Sequence, residues 1–238
     1  MRRLLNGLRK VAAGLRPFNE SVWPGAANDL FVAHTSIYDF FSRFVSGKRV
    51  LDAGCGTGYG AARLIASGAR SVVGVDIDGW SVRYARRHYG SPLATFARAD
   101  IEHLAFEPAS FDVITSSNAM EHLQSPASFL TGAQRVLASD GMAIVAVPPI
   151  LSANDAETHA AIHYHRSNLT ISQWHELFAN RGFHVDCYAH RMQSANLLPD
   201  FASTQRSTLS ASDFVFDATD LPGLQAQPTI TAIFVLQR

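Results

Sequence analysis

Short apolar runs alternate with helix-forming segments along most of the chain. Strands are predicted near residues 49–53, 71–76, 93–98, 111–116 and 142–147, and helices near 58–67, 79–89 and 126–138. The third helix opens on Ser125-Pro126, a hydroxyl cap followed by proline at the first helical position, and ends before Asp140-Gly141. Thr170-x-x-Gln173 has the form of a capping box. It opens a helix that carries Trp174, Leu177 and Phe178 on one face and stops at Gly182. Phe183 to Ala189 and Thr229 to Leu236 read as two more strands, the last rich in β-branched residues. This alternation predicts an α/β fold, a parallel sheet flanked by helices. Residues 191–228 are rich in Ser, Asp, Gln and Pro and read as a long insertion before the last strand, serving as a lid or an interface.

Bulk properties narrow the picture. A chain of 238 residues with 47% hydrophobic content suits a single domain with one sizeable core. The formal net charge of zero argues against a broad attraction to nucleic acid. The two cysteines, Cys55 and Cys187, make neither a disulfide framework nor a zinc site. No apolar run reaches membrane-spanning length, so the expected location is the cytoplasm. Residues 1–16 carry five basic residues, no acid, and leucines at helical spacing. The basic residues interrupt any signal-peptide core. Contact with a membrane surface is one reading of this segment; an amphipathic helix that packs on the domain or frays in solvent is the preferred one.

The densest chemistry lies in Arg49-Val50-Leu51-Asp52-Ala53-Gly54-Cys55-Gly56-Thr57-Gly58. An apolar strand ends on an acid and breaks into three alternating glycines ahead of a helix. Glycine lets backbone amides approach a ligand, and the helix N-terminus adds partial positive charge. Gly56-Thr57-Gly58-Tyr59-Gly60-Ala61 satisfies a dinucleotide fingerprint, with Asp76 twenty residues beyond Gly56. Asp52 argues otherwise: a carboxylate at the strand end is of little use beside a pyrophosphate but suits a cationic ligand such as S-adenosylmethionine.

Further motifs follow in register: Val72-Val73-Gly74-Val75-Asp76-Ile77-Asp78, Ala99-Asp100-Ile101, Phe111-Asp112-Val113-Ile114, Glu121-His122-Leu123, and Arg135 to Met142. With the glycine loop they resemble the class I S-adenosylmethionine-dependent methyltransferases of the small-molecule and glycan type, over about residues 48 to 148. The resemblance implies a Rossmann-like seven-stranded sheet, mostly parallel, whose antiparallel last strand inserts between the fifth and sixth. It divides the domain into an N-terminal helical cap (1–47), a cofactor-binding core (48–148) and an acceptor-side half (149–238). Expected at the cofactor are Asp52, Gly54, Cys55, Gly56 and Gly58 in the loop, Asp76 on the ribose with Ile77 beside it, Asp100 and Ile101 at the adenine, and Ser117 and Asn118 past the fourth strand. Cys55 reads as packing and backbone contact. His34 and Tyr38, four residues apart on an upstream helix, are further candidates for the cavity wall.

His159, His163 and His165 form the one dense histidine cluster. With no cysteine or clear carboxylate partner in sight, the sequence reading assigns no metal there. His165-Arg166, five and four residues ahead of Thr170, matches a pair that the family often carries on the acceptor side. His165, then His163, are thus the candidates for a general base or an acceptor hydrogen bond; Glu121-His122 reads as ordering its loop. The expected reaction is methyl transfer to oxygen or nitrogen of a small-molecule or sugar acceptor. The alternatives are an NAD-dependent oxidoreductase and an inactive regulator that binds S-adenosylmethionine. The acceptor and the oligomeric state are not written in the motifs.

Overall fold

The computed structural model describes residues 22–160 and 164–238. The basic N-terminal segment 1–16 and His163 lie outside the described residues. An eight-stranded sheet runs through the molecule in the order β3-β2-β1-β4-β5-β8-β6-β7. Its strands are β1 (Arg49–Ala53), β2 (Ser71–Asp76), β3 (Ala94–Arg98), β4 (Phe111–Ser117), β5 (Leu137–Val147), β6 (His184–Met192), β7 (Phe214–Thr219) and β8 (Thr231–Gln237). The first five pair in parallel. β8 runs antiparallel between β5 and β6, the place expected for the last strand.

The helices are α1 (Asp29–Phe41), α2 (Tyr59–Ala66), α3 (Gly79–Tyr89), α4 (Pro126–Val136), α5 (Ala153–Ala160), α6 (Ile171–Asn180) and α7 (Leu221–Ala226). Adjacent strand residues point to opposite faces, and the sheet's apolar pairs divide accordingly. Leu51, Ile114, Val145 and Phe234 join α4 and α6 residues such as Phe129, Leu130, Trp174 and Phe178 in one core layer. Val50, Val113, Ile144 and Val235 join Ile37, Phe40, Leu64 and Val82 from α1, α2 and α3 in the other. Caps fix the helix starts. Asp78 accepts from the amides of Trp80 and Ser81, Ser125 from that of Ser128, and Thr170 with Gln173 closes the expected capping box.

Three expectations need correction. The sheet has eight strands, not seven. The extra strand, β7, lies inside 191–228 and pairs antiparallel with β6 at the sheet edge. The segment is therefore not one insertion: residues 191–192 complete β6, 214–219 form β7, and 221–226 form α7. What remains, near 193–213, laces onto the start of α1. The Ser207 amide donates to the Ala27 carbonyl at 2.7 Å and the Asn28 side-chain amide to the Ser203 carbonyl at 2.9 Å. The third correction is at 137–141. α4 ends at Val136 because Leu137 is already extended, pairing with Phe111 across a register shift in β4.

Candidate active site

Strand order reverses around β1, which has β2 on one side and β4 on the other. In open α/β sheets ligands bind at the carboxyl ends of the strands flanking such a switch point. A cavity of about 550 Å³ opens there, lined by residues that include Gly54, Cys55, Gly56, Asp76, Ile77 and Asp100. Ile101, Ser117 and Asn118 line it too, as do His34 and Tyr38 from α1. The volume falls in the usual range for a small-molecule or cofactor pocket.

The walls follow from local backbone chemistry. Asp76 ends β2 with its carboxylate held by two amides. Oδ2 accepts from Gly56 N–H and Oδ1 from Asp78 N–H, each at 2.8 Å. Burial raises its pKa, while those two amides pull in the opposite direction. A carboxylate offers about four acceptor sites, so both oxygens retain capacity for ligand hydroxyls. Ile77 is 59% exposed beside it, an apolar side chain placed at the mouth of a cavity. Gly56 has φ +51°, and no atom lies within 4 Å of where a Cβ would stand. That open space beside the amides is what a close-lying ligand requires. Ser117 Oγ is sealed from solvent with no hydrogen-bond partner among the described residues. Asn118 adopts φ +46°, a left-handed conformation uncommon outside glycine.

Two residues expected at the cofactor do not line the cavity. Gly58, at φ +84°, lies where a Cβ would meet Ala85 Cβ at 2.6 Å, so its bareness serves the packing of α2 against α3 and β3. Asp52 is fully buried. Its Oδ1 accepts from Tyr38 Oη at 3.1 Å and from Thr115 Oγ1 at 3.0 Å. The carboxylate thus acts one layer back, holding the Tyr38 hydroxyl, and the Tyr38 ring in turn fills the space where a Gly60 Cβ would stand. Asp100 lines the cavity, but its Oδ1 also accepts from Glu102 N–H at 2.9 Å, capping a short helical turn. The Cys55 thiol is buried and its pKa is pushed up, chiefly by desolvation, which suits packing and not nucleophilic attack.

Burial lifts Asp52 to about 7, against the lowering effect of the Thr115 and Tyr38 hydrogen bonds. A folded pKa above the unfolded value means the protonated acid favours folding. That contribution is complete below about 3.8 and is lost as pH rises through about 7. Asp52→Asn, which stays neutral, should therefore gain thermal stability relative to the parent as pH rises from about 5 to about 8. Melting curves across that range check it; a constant gap between the two proteins would refute it.

A further part of the cavity wall comes from two segments pinned together. The Glu121 carbonyl accepts from Arg166 N–H at 2.8 Å and from Ser167 N–H at 2.9 Å. The Ser167 hydroxyl donates to the Leu123 carbonyl, and His122 Nδ1–H donates to the Tyr164 carbonyl at 3.2 Å. His122, Tyr164 and Arg166 face the cavity, whereas His165 is not among its lining residues. His165 packs edge-on against His122, with ring centroids 5.0 Å apart, and stacks on His159. Burial, with His122 and His159 alongside, lowers His165 to about 4, so its imidazole is neutral at physiological pH. The carboxylate that the histidine cluster lacked in the sequence is present in space: Glu121, from the turn after β4, lies beside His122 and His165. Tyr59 and Tyr164 were not singled out from sequence, although each adjoins a motif that was.

The fold and this cavity define a cofactor-binding α/β protein, and the comparisons with known proteins place it further. A family model described as a methyltransferase domain matches residues 51–145. A protein of Mycolicibacterium smegmatis described as a probable S-adenosylmethionine-dependent methyltransferase is 32% identical over 169 residues, 70% of this chain and 65% of that protein. A ubiquinone biosynthesis O-methyltransferase of Neisseria meningitidis is 38% identical over 104 residues, covering 40% of this chain and 42% of that one. The crystal structure of an S-adenosylmethionine-dependent methyltransferase of Thermotoga maritima superposes with a TM-score of 0.66 at 15% identity, over 88% of this chain and 91% of that one. The chain belongs to the class I S-adenosylmethionine-dependent methyltransferase family. It spans less than two thirds of the length of these two curated relatives. The cofactor of that family is S-adenosylmethionine, and an acid with acceptor capacity at Asp76, open space beside the Gly56 amide and an exposed apolar side chain at Ile77 suit such a group. Among the described residues no helix is long and apolar enough to cross a membrane.

Proposed function

We propose that this protein transfers a methyl group from S-adenosylmethionine to oxygen or nitrogen of a small-molecule or sugar acceptor. The observation that carries the reading is Asp76, clamped at the cavity edge by the Gly56 and Asp78 amides with acceptor capacity to spare. Bound S-adenosylmethionine supplies an electrophilic methyl on a sulfonium. The protein's part is to hold donor and acceptor in line and keep water out. Asp76 accepts from the ribose hydroxyls, Ile77 and Ile101 enclose the adenine, and the backbone at Gly54, Cys55 and Gly56 contacts the methionine portion. Ser117 and Asn118 complete that edge.

The acceptor enters from the side of His122, Tyr164 and Arg166. His122 is the imidazole that faces the cavity, so it is placed to accept a hydroxyl proton or a hydrogen bond. His165 stands behind it and sets its position. The Neisseria relative is named for O-methylation, which supports an oxygen acceptor. Incubation with a radiolabelled methyl donor and a panel of hydroxylated and amine acceptors tests the reading. Calorimetry should show binding of S-adenosylmethionine and of its demethylated product but not of NAD; tight NAD binding without either would overturn it.

Asp76→Ala should weaken S-adenosylmethionine binding by about 1.5–3 kcal/mol, the range for charge-assisted hydrogen bonds. The fold should survive, since this carboxylate serves the ligand edge and not the core. An unchanged dissociation constant would mean that the ribose is held elsewhere.

A further inference from the structure

Glu121, His122 and His165 each present a ligating atom within 4.8 Å of the other two. The sequence hides this set, because the first two follow β4 and the third lies more than forty residues on. A tetrahedral ion with bonds of about 2.0–2.2 Å holds its donors roughly 3.3 Å apart. Side-chain rotation that closes about 1.5 Å would bring these donors together. We propose that Glu121, His122 and His165 form a binding site for a divalent transition-metal ion of the zinc class, set in the acceptor-side wall of the cavity.

Several independent features support the assignment. Two imidazoles and a carboxylate are a donor set suited to such ions, and three protein donors leave a further position open. The ion would take the Nε2 electron pair of His122, so the proton-accepting role of that imidazole belongs to the metal-free protein, and in the loaded one the open position would take a water or an acceptor oxygen. Metal-ligating histidines commonly donate their second ring N–H to a carbonyl or carboxylate, which fixes the ring and its tautomer. His122 does this, giving Nδ1–H to the Tyr164 carbonyl and keeping its electron pair on Nε2. His165 Nδ1 is sealed from solvent and has no hydrogen-bond partner among the described residues. Glu121 is only 2% exposed, so its carboxylate would meet an ion away from bulk water. The hydrogen bonds from Arg166 and Ser167 to the Glu121 carbonyl lock the two ligand-bearing segments in register.

The test uses the full chain, free of any affinity tag and stripped with chelator, titrated with cobalt(II) and zinc(II) at neutral pH. The wild type should take up one equivalent, with cobalt absorption of a four- or five-coordinate site. Glu121→Gln and His165→Ala should each weaken uptake by at least about tenfold, since even the outer partners of metal ligands cost 10–100-fold. His184→Ala removes an exposed histidine ion-paired with Asp186, outside the cluster, and should leave uptake unchanged. X-ray absorption of the zinc-loaded wild type gives a readout that needs no variant, and it should report two imidazole nitrogens. Absence of saturable uptake, uptake indifferent to both ligand substitutions in folded protein, or an oxygen-only shell would each overturn the proposal. Calorimetry of S-adenosylmethionine on the same stripped protein separates the two readings. Cofactor binding without metal uptake removes the metal site alone; metal uptake without cofactor binding removes the methyl-transfer reading alone.

Discussion

His122→Ala should slow methyl transfer by about 10²–10⁴-fold, the range for losing a positioned proton acceptor. Affinity for S-adenosylmethionine should stay within about tenfold, or about 1.4 kcal/mol. The separation follows from geometry. The cofactor contacts proposed here cluster on Asp76, Ile77, Gly56 and Ile101 along β1, β2 and the turn after β3. His122 lines the cavity from the turn after β4, with Tyr164 and Arg166 from the segment pinned to that turn. The substitution also removes the hydrogen bond from His122 to the Tyr164 carbonyl, which costs about 1 kcal/mol of local order. A loss confined to the Michaelis constant would show that His122 only positions the acceptor. Full turnover in the variant, measured with whichever acceptor the screen identifies, would remove it from the chemistry altogether.

The contrast between His122 and His165 shows where the sequence stopped being legible. The cofactor half was readable because its constraints are local: a buried strand, an acid at its end, and glycines before a helix. Each lies within a dozen residues and has a stated physical reason. Even so, local reading put Asp52 and Gly58 at the ligand, whereas neither is among the residues that line the cavity. The missing information was Tyr38 and Thr115, which reach Asp52 from another helix and another strand. Likewise, the acceptor wall is made by segments more than forty residues apart, joined through the Glu121 carbonyl. Proximity in sequence made His163 and His165 the leading candidates, whereas the chain's path puts His122 on the cavity surface. β7 escaped for a different reason. It is a short edge strand of mixed burial within a Ser- and Asp-rich stretch, and such edges carry a weak alternation signal.

Trp174→Ala should destabilise the protein by about 3–5 kcal/mol, the usual cost of deleting a large buried aromatic side chain. Trp174 is 1% exposed on α6 and stacks on Phe178, whose ring meets Phe234 of β8 edge-on at 5.2 Å. Together they press α6 onto the antiparallel half of the sheet, where β8 is buried along nearly its whole length. An alanine there leaves a cavity in a rigid layer bounded by strands, which cannot collapse to fill it. Denaturant unfolding should show a lower midpoint with an unchanged slope, the mark of lost stability without a change in the surface exposed. Trp174→Phe should recover part of the loss by refilling the layer. The consequence reaches the site, because α6 begins at the Thr170 cap just after Arg166 and Ser167, and Ile171 N–H donates to the Ile150 carbonyl at 2.8 Å. The helix is thus the anchor of the acceptor-side wall. A loss below about 1 kcal/mol, typical of surface substitutions, would show that α6 is not held by this contact.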